Sequence, residues 1–214
     1  MNQIVFLEPN RLDGEPFTTS KAISEVTGIA HRRIRDAIVK HKSAIEVFGL
    51  LGAYETESTG GRPEEIIRLN EQQATLLITF LKNTPIVVAF KVELVRQFYA
   101  MRGELLARQM HRSQGKPIRR ELTDAVQEFD DSRWSYKKYT DLAYKAATGK
   151  LAKQLRVERG ADKTAVAVDY MTADELDAVN KAQYRIGMLL EMGLDYQQIK
   201  ALLLARQALV QATA

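Results

Sequence analysis

The sequence predicts a mostly α-helical protein with one small β-hairpin near its N-terminus, divided into two domains. Three observations lead there. Apolar residues recur at helical steps of three and four through most of the chain. After Gly49 the period changes: two short apolar runs, Leu50, Leu51 and Tyr54, then Ile66, Ile67 and Leu69, flank a polar stretch holding Gly60, Gly61, Arg62 and Pro63. The length of 214 residues is generous for one compact domain and suits two.

In chain order, Thr19 or Ser20 supplies an N-cap for a short helix with Ala22, Ile23 and Val26 on its apolar face. It stops at Thr27 and Gly28, glycine being the residue that turns most cheaply. A second periodic run begins near Ala30 and extends to about Phe48. With Gly28 at the turn of a helix-turn-helix, Ile23, Ile29 and Ile34 fall where that motif requires apolar residues, and Ala37 where it requires a small one. Thr27 fits that pattern less well. The hairpin follows the second helix directly, as a wing does, so the first domain is expected to be a winged helix-turn-helix.

Asn70 and Gln73 have capping-box spacing, and Ala74, Leu77, Ile78 and Leu81 mark the helix they open. Asn83, Thr84 and Pro85 break and restart the chain. A long helix follows to roughly Arg112, with Val87, Phe90 or Lys91, Leu94, Phe98, Met101 and Leu105 at alternating steps of three and four. That line either closes an internal core or faces a second copy. Ser113 to Pro117 has linker composition, which sets the expected domains at 1–112 and 119–214 with a linker at 113–118. The second domain reads as helical: Leu122 to Phe129, Tyr136 to Thr148 closed by Gly149, a continuation through Arg159 ended by Gly160, and two helices opened by Thr172 with Glu175 and Asp195 with Gln198, parted at Gly193. Trp134, Tyr136, Lys137, Lys138 and Tyr139 interleave aromatics with cations; that suits stacking on bases, and suits the edge of a core better.

The net charge of +4 is modest, but its placement is not even. Between His31 and Lys42, Arg32, Arg33, Arg35, Lys40 and Lys42 stand against the single acid Asp36, a local excess equal to the surplus of the whole chain. On a helix turning about 100° per residue, Ala30, Ile34, Ala37, Ile38 and Ile45 share one side while Arg32, Asp36 and Ser43 point away. Arg33 and Lys40 flank the outer face on one side, Arg35 and Lys42 on the other. An apolar seam under a cationic surface is what a helix lying in a major groove requires: arginine near its N-terminus reaches guanine, and lysine further on neutralises phosphates. Arg62 at the hairpin apex adds a cation. The expected DNA-binding set is therefore Arg32, Arg33, Arg35, Lys40, Lys42 and Arg62. His31 and His41 fall near the buried edge and read as boundary histidines.

No His-Glu-x-x-His pattern, Walker-type loop or dinucleotide fingerprint occurs, and there is no cysteine. Asp174, Glu175 and Asp177 lie in the first turn of a helix, where the dipole favours acids. No catalytic set, cofactor or metal is expected. Met1 to Asn10 lacks the basic-then-apolar pattern of an export signal, and no apolar run is long enough for a membrane span, so a soluble, cytoplasmic protein is expected.

Three stretches together resemble the Rha family of phage regulatory proteins: Thr19 to Ile38 (TSKAISEVTGIAHRRIRDAI), Gly61 to Asn70 (GRPEEIIRLN) and Glu71 to Met101 (EQQATLLITFLKNTPIVVAFKVELVRQFYAM). The spacing of Gly61-Arg62, Leu69, Leu77, Phe90-Lys91, Phe98 and Met101 is the most specific part. The resemblance implies a phage or prophage transcriptional regulator acting on double-stranded DNA, or an antirepressor that captures a repressor or host protein. A homodimer or higher homo-oligomer formed through the long helix, and a protein partner for the C-terminal domain, are the further expectations.

Overall fold

The first helix starts where the sequence offers a cap. Thr19, in extended conformation, accepts a hydrogen bond from the Ala22 amide at 3.1 Å, and α1 runs Ser20–Thr27. The computed structural model describes residues 3–7, 14–55, 65–130, 132 and 134–212. These fall into two compact units that divide between Gly103 and Glu104.

In the first unit, β1 (Phe17–Thr19) precedes α1, and α2 follows at His31–Lys40. The helix expected to continue to Phe48 breaks at His41, whose backbone sits at φ −109° and ψ 19°. A short α3 (Lys42–Ile45) and a 3-10 turn (Glu46–Phe48) complete the run. Strands β2 (Gly52–Glu55) and β3 (Glu65–Asn70) pair antiparallel, with Gly52 opposite Arg68 and Glu55 opposite Glu65. The hairpin thus gains a third strand: β1 pairs with the other edge of β3, Phe17 opposite Asn70, giving the order β1-β3-β2. Three residues of Phe-Thr-Thr are too short to show a period of two, so β1 left no signal in the sequence.

Helix α4 (Glu71–Phe80) opens with the expected box: Asn70 Oδ1 accepts from the Gln73 amide at 2.8 Å, and Gln73 Oε1 from the Asn70 amide at 3.0 Å. Helix α5 begins at Pro85. Its apolar line is spent on the core, where Val87, Phe90, Leu94 and Phe98 pack with Ile23, Ile34, Ile38, Ile45, Leu69 and Leu77. Gln97 Oε1 accepts from the amides of Ile4 at 2.8 Å and Val5 at 3.1 Å, which clips the N-terminal stretch to this helix.

The linker expected at 113–118 is helix instead: α5 runs unbroken from Pro85 to Phe129 with Pro117 inside it. The boundary moves to Gly103 and Glu104, within the same helix. Gly115 is explained by packing and not by a turn. A Cβ there would collide with Oδ1 of Asn180, whose Nδ2 donates to the His111 carbonyl at 2.8 Å. Composition marks Ser-Gln-Gly-Lys-Pro as a linker, but a glycine demanded by close approach carries the same letter as one demanded by a turn.

The second unit packs the remainder of α5 with α6 (Ser135–Thr148), α7 (Ala152–Glu158), α8 (Ala173–Glu191) and α9 (Tyr196–Ala212). One cluster gathers Leu122, Val126, Leu142, Ala143, Ile186, Leu190 and Ile199; a second holds Tyr144, Leu155, Val168, Met171 and Leu176. Both expected caps form, at Thr172 with Glu175 and at Asp195 with Gln198. Of Trp134, Tyr136 and Tyr139, only Tyr139 is a core residue; Trp134 and Tyr136 are exposed.

Candidate nucleic-acid interface

Side-chain hydrogen bonds fix the turn that orients α2. Thr27 is buried, donates its hydroxyl to the Ile23 carbonyl at 2.6 Å and accepts from the Ile29 amide at 3.3 Å. Ser24 donates to the Ile29 carbonyl at 2.7 Å. Gly28 lies at φ 70°, a left-handed conformation open to glycine without penalty. Thr27 is thus not a poor fit but the residue that satisfies the turn's own polar groups.

A second device ties α2 to the sheet. Ser20, fully buried, accepts from the Ile67 amide of β3 at 2.9 Å and shares a 2.8 Å hydrogen bond with Nε2 of His31. One hydroxyl therefore joins α1, α2 and β3. Behind α2, Ile34 and Ile38 are buried, as is Ile45 of α3. His41 stacks on Phe80 with ring centroids 3.9 Å apart. Both histidines sit at the boundary of the core.

Three of the five helical cations share one outward arc. Going round α2, the exposed positions are Val39, Arg32, Asp36, Lys40 and Arg33, together about a third of the circumference. Arg32 approaches Asp36 only at 4.0 Å, with side chains 92% and 70% exposed, so water screens the pair and the guanidinium is free to move. Arg33 and Lys40 make no ion pair among the described residues.

The other expected residues stand apart. Arg35 turns to the flank and pairs with Glu65 at the start of β3, 3.2 Å away. Lys42 lies beyond the break, on α3, and pairs with Glu46 at 3.7 Å. Arg62 lies outside the described residues. Sequence reasoning missed Val39, 67% exposed at one edge of the basic arc beside Arg32, because attention to charge passes over an apolar residue at an outward position.

The amides of the α4 capping box also hold the chain between α2 and β2. Asn70 Nδ2 donates to the Phe48 carbonyl at 2.8 Å and Gln73 Nε2 to the Gly49 carbonyl at 2.6 Å. The strand pair therefore leaves α2 at a fixed position. On β3 the Arg68 guanidinium lies 3.7 Å from the centre of the Phe17 ring, a stacked cation bridging two strands.

This is a helical unit in which a short, outward, basic helix is pinned to a three-stranded sheet. Residues 18–103 match the family described as phage regulatory protein Rha, a stretch that lies within the first unit. The match ends where the first unit ends. No curated protein matches the chain. Among the described residues no helix is long and apolar enough to cross a membrane.

Proposed function

We propose that the first unit is a winged helix-turn-helix that binds double-stranded DNA, and that the chain is a phage or prophage transcriptional regulator without catalytic activity. The observation that carries this is the outward arc of α2, where Arg32, Arg33 and Lys40 face away from the core with one acid among them. Ten residues of helix span about 15 Å and fit lengthwise in a major groove about 12 Å wide. In that pose Arg32 and Arg33, near the N-terminus, meet guanine edges or phosphates, Lys40 meets a phosphate further along, and Val39 packs on a thymine methyl. Arg35 and Lys42 act first on the protein itself: Arg35 pairs with Glu65 of β3, and Lys42 with Glu46 one turn further along its own segment.

The test is retention on a genomic fragment library at defined salt, for the wild type and for Arg32→Glu with Arg33→Glu. The double variant should lose retention while its circular dichroism spectrum stays unchanged, since neither residue packs in the core. Equal retention of both proteins removes α2 from the interface. A partner captured from phage-carrying cells that survives nuclease treatment in place of DNA replaces this reading with repressor capture.

A further inference from the structure

Between Pro85 and Gly103, α5 carries two apolar lines. The first, Val87, Phe90, Leu94 and Phe98, is buried in the core. The second, on the far side of the helix, is Val88, Val92, Val95 and Tyr99, exposed by 47%, 66%, 43% and 66%. Its steps of four, three and four are the spacing that keeps one line of side chains facing a neighbouring helix. A helix that closes one core needs a single apolar face and leaves the other polar. Here the other face holds no charge along its centre. The cations beside it are drawn off within the chain: Lys91 donates to Asn83 at 2.8 Å, Arg96 to Glu93 at 3.1 Å, and Arg102 pairs with Glu71 at 2.6 Å. A Cβ built on Gly103 meets nothing within 4 Å.

We propose that two copies of the chain meet along this line, as a reversible helix-to-helix dimer. An uncharged line offers nothing to DNA or to a strongly charged partner, whereas a heptad line complements an identical one under two-fold symmetry. The area sets the strength. The four side chains expose roughly 400 Å² per copy, about half of the roughly 800 Å² that each partner buries in a standard stable interface. The dimer is therefore weak, with a dissociation constant on the order of micromolar or above.

The test is sedimentation of the full chain without DNA, from about 1 to 200 µM, a range that brackets such a constant. The wild type should pass from monomer to dimer, and Val92→Glu with Tyr99→Glu should remain monomeric with an unchanged thermal melt. The chain has no cysteine, so Val95→Cys gives a single thiol. Mild oxidation should link it into a covalent dimer and leave a Glu25→Cys control on α1 monomeric. A wild type monomeric at the highest concentration overturns the proposal. So does a dimer that persists in the glutamate variant, or equal cross-linking of both thiols. None of these readings depends on whether α2 binds DNA.

Discussion

Thr27, Ser24 and Ser20 place the basic helix more than any charge does. Their hydroxyls satisfy backbone groups that the turn and the sheet edge would otherwise leave unpaired. Thr27→Val keeps the volume but orphans the Ile29 amide, and chemical denaturation should show a loss of about 1–2 kcal/mol. The cations divide by partner, which the sequence does not show. Arg35 and Lys42 lie at helical spacing indistinguishable from that of Arg33 and Lys40, and only Glu65 and Glu46 set them apart. Arg33→Ala and Lys40→Ala should each weaken duplex binding and flatten its log-log salt dependence by about 0.9, one phosphate contact apiece. Arg35→Ala should flatten it less, and should cost no more than about 1 kcal/mol of stability because its pair is solvent-exposed.

Elements with a strong period were legible: α1, α4, the capped α8 and α9, and the strand pair all stand where apolar spacing and caps put them. Three features were not. β1 is too short to carry a period; α2 ends at His41 although the apolar spacing continues to Ile45; and α5 runs through a segment composed like a linker. The continuity of α5 is testable at Pro117. A proline inside a helix costs about 3 kcal/mol, so Pro117→Ala should raise the melting temperature, whereas in a coil it would change little. Gly115→Ala should act the opposite way, pushing the Asn180 amide off the His111 carbonyl and lowering stability by roughly 1–2 kcal/mol. Where α5 gives way to α6, Lys138, Ser132 and Tyr139 hydrogen-bond Asp130 and hold its carboxyl down, from 3.8 to about 2. Burial pushes the Tyr139 hydroxyl up. A carboxyl depressed on folding stabilises the fold above its unfolded value and loses that contribution as pH falls from about 4 towards 2. Acid unfolding followed in Asp130→Asn should lack this part of the pH dependence and otherwise resemble the wild type.

At the scale of the whole molecule, the two units differ in how far they can be read. The first carries the family match, a hydrogen-bonded frame and an outward basic arc, so fold and chemistry point the same way. The second unit has two apolar clusters and well-formed caps, and of its own run of cations on α5, Arg108, Arg112, Lys116, Arg119 and Arg120, the first two are paired with Glu104 and Asp169. A sequence announces packing through period and caps; it announces a site when unusual chemistry gathers on an outward face, as it does on α2 between His31 and Lys40. Everything functional rests on whether the α2 arc neutralises phosphates. The most direct measurement is duplex affinity against salt concentration, for the wild type and for Arg33→Glu with Lys40→Glu. The wild type should give a straight log-log line with a slope of about −2 to −3, and the double variant one near zero. A flat line in the wild type, or the same slope in both proteins, would contradict the account.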